Sequence, residues 1–189
     1  EKIIQKYREL DSQVSVRSSA TAEDAKNASF AGQFETFLNV NSENELLDSI
    51  NRCWKSSKSK RVISYAKSKR IKNIKMAVIV QKMINPDFAG VIFTLDQIYN
   101  KDILIESVKG LGEKLVSGKI TPTSYFIDRK HYKINNRSGS LNISDILIEK
   151  LGRLALKIEK SYNFPQDIEF ATKGNEISIL QSRAITTIN

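Results

Sequence analysis

The chain has 189 residues, a length that suits one large domain or two small lobes. Hydrophobic residues make up 40% of it and charged residues 27%, which is an ordinary balance for a globular protein. No apolar run reaches the ~18 residues of a membrane span, so we expect no membrane partner. Cys53 is the single cysteine, which excludes an intrachain disulfide and a cysteine-based zinc site and favours a cytoplasmic location.

The formal net charge of +9 suits nucleic-acid binding, attraction of a polyphosphate, or simple solubility. The basic residues are concentrated between Lys55 and Lys75. Tyr65 is the only aromatic residue in that stretch, so it lacks the stacking platforms of proteins that bind single strands. We therefore interpret the charge mainly as a solvated surface and expect no nucleic-acid partner.

The first predicted elements are a surface helix over residues 1–10 and a short strand over 13–17, where apolar and polar residues alternate. Residues 18–32 indicate a long loop of small and acidic residues, and loops of that length in compact domains are usually functional. An apolar, extended segment is predicted over 34–40.

Two helices are predicted next. The first begins at a capping box formed by Ser42 and Glu45 and runs to about residue 55, because the serine side chain and the glutamate three residues later satisfy each other's free backbone donors. The second covers residues 58–70.

Two apolar strands, 76–82 and 89–95, are expected to pair around a turn at Asn85-Pro86-Asp87. The remaining predicted elements are a strand at 103–107, a glycine-bearing loop at 109–118, a hairpin of 124–128 and 132–134, a helix at 143–162, and strands at 168–171 and 177–180 around Gly174-Asn175. Strands in hairpins and helices in pairs indicate an α+β protein rather than a doubly wound parallel sheet.

Arg17 leaves the first strand into a segment rich in hydroxyl groups, which includes Ser18, Ser19 and Thr21. An arginine offers a planar fork of donors that matches phosphate oxygens, and hydroxyl and backbone donors add to it. On this spacing alone, a capped turn with a surface arginine is the simpler explanation.

The wider sequence changes that interpretation. It contains, in order, the runs VRSSATAED (16–24), ASFAGQ (28–33), ETFLNV (35–40), VQKM (80–83), AGVIFT (89–94), ESVKGLGE (106–113), Pro122, DIEF (167–170) and LQSR (180–183). This series resembles the N-terminal ATP-binding domain of the phosphoenolpyruvate synthase and pyruvate phosphate dikinase family, which rifamycin phosphotransferases share. The resemblance covers nearly the whole chain.

The resemblance implies an ATP-grasp-type nucleotide-binding fold in which ATP lies between two lobes, here with sub-lobes of about 1–82 and 83–189. Arg17 matches the family's phosphate-binding arginine, and Gly32 and Thr36 match positions that approach the phosphates. A glycine there lets backbone N–H groups come close to an oxyanion. Without the neighbouring motif, Gly32 is a turn glycine and Thr36 a strand threonine.

Gln81 matches the position beside the adenine, and its amide can donate to and accept from a purine edge. Glu169 and Gln181 match metal ligands, and a carboxylate with an amide oxygen suits Mg²⁺, which shares its other positions with phosphates and water. Arg183 matches a phosphate residue that neutralises charge on the transferring phosphoryl group. The alternatives are a polar strand end for Gln81 and a charged, exposed hairpin for the other three.

The turn at Gly174-Asn175 bears directly on this metal site. A regular two-residue hairpin pairs Lys173 with Glu176 and puts Glu169 opposite Leu180, so that Gln181 faces the other side of the sheet. We therefore predict that the loop has an odd length or that a bulge supplies one extra residue.

Three parts of the family's enzymes do not stand in this sequence: a preceding lobe with a Gly-Gly-Lys segment, a swivelling domain with a phosphorylated histidine, and the acceptor-binding domain. The only histidine, His131, lies in a context that does not match and is expected on a surface hairpin. We therefore expect a fragment, inactive by itself, of an ATP- and Mg²⁺-dependent phosphotransferase that moves a phosphoryl group from ATP to a histidine and then to pyruvate. The alternatives are the same domain of a rifamycin phosphotransferase and a non-catalytic, basic module that binds nucleotide or nucleic acid.

Overall fold

A computed structural model describes residues 1–21, 24–25, 28–29, 34–68, 71, 74–96, 101–116, 118 and 120–185. The helices are α1 (Lys2–Leu10), α2 (Glu43–Ser56), α3 (Lys60–Ser68), α4 (Glu113–Val116) and α5 (Asp145–Tyr162). The strands are β1 (Val14–Ala20), β2 (Asp24–Ala25), β3 (Ala28–Ser29), β4 (Thr36–Val40), β5 (Met76–Lys82), β6 (Phe88–Phe93), β7 (Ile103–Lys109), β8 (Thr123–Ile127), β9 (Ile134–Ser138), β10 (Gln166–Lys173) and β11 (Glu176–Ala184). The mixture of helices and antiparallel sheets confirms the predicted α+β class.

The chain forms two compact units, Glu1–Met83 and Ile84–Asn189. The first unit contains a three-stranded antiparallel sheet in the order β4-β1-β5. Val14 and Val16 of the central strand are fully buried and pack with α2, while α1 contributes partly buried side chains to the same cluster. One face of this small sheet therefore packs against α2 and forms the core of the unit.

Helix α2 begins at the predicted Ser42, but Glu45 caps the backbone N–H one residue before the one that a capping box uses. The Ser42 side chain accepts a hydrogen bond from the backbone N–H of Glu45, and a carboxylate oxygen of Glu45 accepts one from the backbone N–H of Asn41. Leu46, Ile50 and Cys53 follow at helical spacing and are buried, so a single stripe holds the helix against the sheet.

The second unit contains a six-stranded antiparallel sheet in the order β11-β10-β6-β7-β8-β9. Helix α5 covers one face of it. Leu147, Ile148 and Leu151 of the helix belong to the same buried cluster as Ile92 and Ile168 of the sheet. Since side chains alternate along a strand, residues adjacent to Ile92 and Ile168 lie on the face that α5 does not cover.

The predicted pairing of 76–82 with 89–95 is wrong. Strand β5 pairs with β1 along its whole length, while β6 lies between β10 and β7 in the other unit. The residues between the two strands do not form a hairpin turn, because Asp87 is held elsewhere. Its backbone N–H donates to Thr172, and its carboxylate accepts from Gly174 N–H at 2.7 Å and from the Lys173 ammonium at 2.8 Å.

Other boundaries differ by a few residues. Strand β1 continues to Ala20, so it takes up the start of the predicted 18–32 loop, much of which lies outside the described residues. Strand β9 begins at Ile134 rather than at Tyr132. Among the residues that the structure describes, no helix is both long and apolar enough to cross a bilayer.

Candidate functional site

Three of the predicted site residues share one face of the small sheet. In the strand pairing, Arg17 lies opposite Thr36 of β4 and opposite Ile79 of β5, and Ser15 lies opposite Gln81. Side chains in these cross-strand rows point to the same side, away from the buried valines that pack on α2. The structure therefore brings Arg17, Thr36 and Gln81 together on the face that α2 leaves uncovered.

Arg17 and Gln81 also touch. A terminal guanidinium nitrogen of Arg17 donates to the side-chain oxygen of Gln81 at 3.5 Å, a long hydrogen bond. The Ser15 hydroxyl donates to the backbone oxygen of Gln81 at 3.4 Å. Ile79, on the same face, is 48% exposed. The face thus offers a cation, an amide and an apolar side chain, which are the groups that recognise phosphate and base.

Gly32 lies outside the described residues, so its predicted role stays a prediction. Thr21, from the hydroxyl-rich segment, has a structural use. Its backbone N–H donates to the Lys75 carbonyl at 3.0 Å, and its hydroxyl accepts from the Lys75 N–H at 3.2 Å. The two hydrogen bonds join the residue after β1 to the residue before β5.

In the second unit, the β10–β11 hairpin contains the predicted irregularity. The turn is a regular two-residue one, with Lys173 opposite Glu176. Pairing continues to Phe170 opposite Ile179, and the register then shifts so that Glu169 lies opposite Gln181. Leu180 is the extra residue of a β-bulge. The prediction that a bulge supplies this residue is confirmed.

This register places the Glu169 carboxylate and the Gln181 amide on one face, which is the face away from α5. Their chemistry fits Mg²⁺, which takes hard oxygen ligands and usually only one or two from protein. Among the described residues, no three His, Cys, Asp or Glu side chains form a group that could hold a metal alone. A magnesium ion here would therefore share its coordination with phosphate oxygens and water.

Arg183 lies opposite Asp167 in the next row of the same hairpin. Its Nε and Nη2 atoms both donate to one Asp167 carboxylate oxygen, at 2.9 and 2.6 Å. Sequence reasoning did not select Asp167. The signal was present, because the register that pairs Glu169 with Gln181 also pairs the residue two places before Glu169 with the residue two places after Gln181.

Glu106 is a second acidic side chain that sequence reasoning did not select. Val91 of β6 pairs with Glu169 on one side and with Glu106 of β7 on the other, so all three share a face. Burial raises the pKa of Glu106, while a hydrogen bond with the Ser124 side chain lowers it. The uncovered face of this sheet therefore carries a row of polar groups across β11, β10, β7 and β8.

The sequence matches a family model described as the AMP/ATP-binding domain of pyruvate phosphate dikinase, over residues 1–142 and 132–189. The chain belongs to this family. The predicted resemblance is thus confirmed on the same stretches of chain that hold both sets of site residues.

Members of this family that resemble the chain include several named phosphoenolpyruvate synthases. A probable phosphoenolpyruvate synthase of Archaeoglobus fulgidus is 42% identical over 93% of this chain and 27% of the relative. The phosphoenolpyruvate synthase of Pyrococcus furiosus is 34% identical over 100% of this chain and 28% of its own length. The Bacillus subtilis phosphotransferase YvkC is 35% identical over 97% of this chain and 26% of its own length.

The chain therefore spans about a quarter of the length of these relatives. Among solved structures, the D-alanine-D-alanine ligase of Coxiella burnetii aligns with 97% of this chain and 38% of its own chain, with a TM-score of 0.44 and 13% identity.

Proposed function

We propose that this chain is an ATP-grasp-type domain that binds ATP and Mg²⁺, and that the protein transfers a phosphoryl group from ATP to a histidine and then to pyruvate. Membership of a family defined by an AMP/ATP-binding domain supports the nucleotide, and the relatives named phosphoenolpyruvate synthase support the acceptor. The observation that carries the proposal is the bulge at Leu180, which puts Gln181 opposite Glu169. β-Bulges are over-represented next to active sites, where they re-aim a side chain.

The predicted site residues of the two units have different proposed roles. In the first, Arg17 and Thr36 bind phosphate oxygens, with Gly32 supplying backbone donors, and Gln81 reads the purine edge. In the second, Arg183 neutralises charge on the phosphoryl group in transit. The roles of Arg17 and Arg183 suit an arginine better than a lysine, because the guanidinium presents a planar fork of donors that matches phosphate oxygens.

Glu169 and Gln181 would hold the magnesium ion. When bound, Mg²⁺ neutralises phosphate charge and orients the phosphoryl group for in-line transfer. The chain's own part is to place one carboxylate and one amide oxygen on adjacent strands of a rigid sheet, so that the ligands are ordered before the nucleotide arrives.

The phosphorylated histidine, in this proposal, belongs to another domain. His131 lies in the β8–β9 turn, where its side chain is 68% exposed and its Nδ1 atom is 2.8 Å from an Asp128 carboxylate oxygen. This structural role in the turn accounts for His131 without a catalytic role.

We propose a cytoplasmic setting for the reaction, where ATP is the available phosphoryl donor.

The test is phosphoenolpyruvate formation by the intact protein from ATP and pyruvate. Glu169→Gln removes one carboxylate charge and is expected to reduce the rate by at least about 100-fold, in the range that losing a metal or oxyanion contact produces. Glu159→Gln is the matched control, because it removes a carboxylate that pairs with Arg129 in the same unit. Activity unaffected by Glu169→Gln, or robust phosphoenolpyruvate formation by these 189 residues alone, contradicts the proposal.

A further inference from the structure

The ion pair between Asp167 and Arg183 is largely shielded from solvent. The Asp167 side chain is 12% exposed and the Arg183 side chain 31%. Two of the three guanidinium nitrogens, Nε and Nη2, donate to the same carboxylate oxygen, so the pair fixes the orientation of the guanidinium plane as well as its distance. Charged hydrogen bonds of this kind are the strong ones in proteins.

The pair also stands next to the candidate metal ligands. Asp167 and Glu169 are two residues apart in β10, and Gln181 and Arg183 are two residues apart in β11, so the four side chains form two adjacent cross-strand rows on one face. Adjacent rows of that kind lie about 7 Å apart along the strands. The guanidinium is therefore held within reach of a phosphate that Glu169 and Gln181 would share through a metal.

We propose that Asp167 is a positioning residue that orders Arg183 for the phosphate group before ATP binds. This inference rests on the proposed function, since it assumes that Arg183 contacts the nucleotide. An arginine side chain loses rotamer entropy when it is fixed. A carboxylate that has already fixed it removes that cost from the binding step.

A purely electrostatic role of Asp167 and a positioning role predict opposite effects of neutralising Asp167. The negative charge of Asp167 lowers the positive potential around Arg183, so neutralising Asp167 should strengthen the binding of a polyanion such as ATP. Positioning predicts that the same change weakens ATP binding, because a neutral amide oxygen holds the Arg183 guanidinium less tightly than a carboxylate oxygen does. The sign of the effect therefore separates a positioning role from a merely electrostatic one.

The experiment measures Mg²⁺–ATP and AMP binding by calorimetry in the intact protein and in three variants, Asp167→Asn, Arg183→Lys and the double variant. Asp167→Asn keeps the shape and removes the charge. We expect it to weaken ATP binding about tenfold, the effect of losing one charge-assisted hydrogen bond, and to leave AMP binding unchanged, because AMP lacks the terminal phosphates. In the Arg183→Lys background, Asp167→Asn should cause no further loss.

Glu159→Gln again serves as the control. The Arg129–Glu159 pair has a similar length, 2.6 Å, and similar exposure, 29% and 18%, but it joins α5 to the β8–β9 turn. We expect the ATP affinity of the Glu159→Gln variant to equal that of the parent protein. If Asp167→Asn does not fold, Asp167→Glu replaces it in the same cycle, with a smaller loss expected that is again absent beside Arg183→Lys.

Each outcome decides a different point. If Asp167→Asn binds ATP as tightly as the parent protein or more tightly, or loses as much affinity beside Arg183→Lys as alone, the positioning role is overturned while the proposed function stands. If Arg183→Lys has no effect, the placement of Arg183 at the nucleotide fails and the inference fails with it. If the parent protein does not bind Mg²⁺–ATP, the proposed function itself is wrong.

Discussion

Arg17 is the residue on which the proposed phosphate binding by the first unit depends most. It lies in the central strand of its sheet, opposite Thr36 and next to the row that contains Gln81. A charged hydrogen bond to a phosphate is worth roughly 1.5–3 kcal/mol. We therefore predict that Arg17→Ala weakens ATP binding about 10- to 150-fold, measured by calorimetry with Mg²⁺ present.

Arg8→Ala is a fair control for that prediction. It removes the same charge from the same unit, but Arg8 forms an exposed ion pair with Glu43 at 2.6 Å, on the helical side of the unit. Long-range attraction of ATP falls equally in both variants, so an equal loss of affinity in the two would show that Arg17 acts only through its charge and not by contact.

Cys53 provides a prediction about the core. It is fully buried in the cluster that joins α2 to the small sheet, and burial, helped by the charge of Glu35, raises the pKa of its thiol to about 11. The thiolate is the reactive form, and a shift of that size lowers its fraction at pH 8 about 100-fold. We expect a thiol reagent to label Cys53 at pH 8 only as fast as the unit unfolds, with labelling accelerating in urea. Labelling of the native protein at the rate of a free thiol contradicts this placement.

Single residues show where the sequence was informative. The Gly174-Asn175 turn signal conflicted with the metal-ligand roles that the family resemblance implies for Glu169 and Gln181, so the sequence predicted an odd-length loop or a bulge, and the structure has the bulge. Asp167 was missed although the register of the same local hairpin pairs it with Arg183. Glu106 was missed because its place beside Glu169 depends on strand order, a long-range property that no local pattern contains.

At the scale of an element, the bulge in β11 can be tested by deletion. Removing Leu180 leaves a regular ladder in which Glu169 still faces Gln181, whereas removing Ser182 keeps that pair but moves Arg183 one place, to the opposite face. Both variants shorten the same edge strand by one residue. We expect Mg²⁺–ATP affinity to change less than about threefold without Leu180 and to fall more than about tenfold without Ser182, as loss of a charged contact requires. Equal losses in the two variants contradict the assigned register.

Strand β6 makes an equally specific prediction. A Cβ atom added to Gly90 would lie 1.9 Å from the backbone oxygen of Glu106 in the neighbouring strand, a contact that only movement of the sheet can relieve. We predict that Gly90→Ala lowers the free energy of unfolding by about 1–3 kcal/mol, the usual cost of overpacking. Urea denaturation measures it. Gly112→Ala is the control, since its Cβ would meet the Ala89 Cβ at an ordinary 3.5 Å, and equal destabilisation by both would contradict the close approach of β6 and β7.

Most elements were predictable because their signals are local. The capping serine of α2 and the apolar stripe of α5 depend only on neighbours in sequence, and both helices lie close to their predicted ranges. The true partners of β5 and β6 were not predictable in this way. Two apolar strands joined by Asn85-Pro86-Asp87 resemble a hairpin, but each strand has a better partner elsewhere, and Asp87 ties the connection to the β10–β11 turn.

At the scale of the whole molecule, the net charge of +9 suits two functions with different consequences, the binding of nucleic acid and the attraction of a nucleotide's polyphosphate. A basic nucleic-acid-binding module would bind a random oligonucleotide, with an affinity that falls steeply as salt rises. A nucleotide site built on Glu169 and Gln181 would instead need a divalent metal, because two acidic or neutral oxygens do not attract phosphate unless a cation lies between them.

The most direct test is therefore calorimetric titration of the protein with ATP, with Mg²⁺ and then with EDTA, beside a titration with a random single-stranded oligonucleotide. We predict that ATP binds with Mg²⁺, that EDTA or Glu169→Gln weakens binding at least about tenfold, and that Glu159→Gln has no such effect. Binding of ATP that is indifferent to both EDTA and Glu169→Gln, together with tight, salt-sensitive binding of the oligonucleotide, would contradict a metal-dependent nucleotide site.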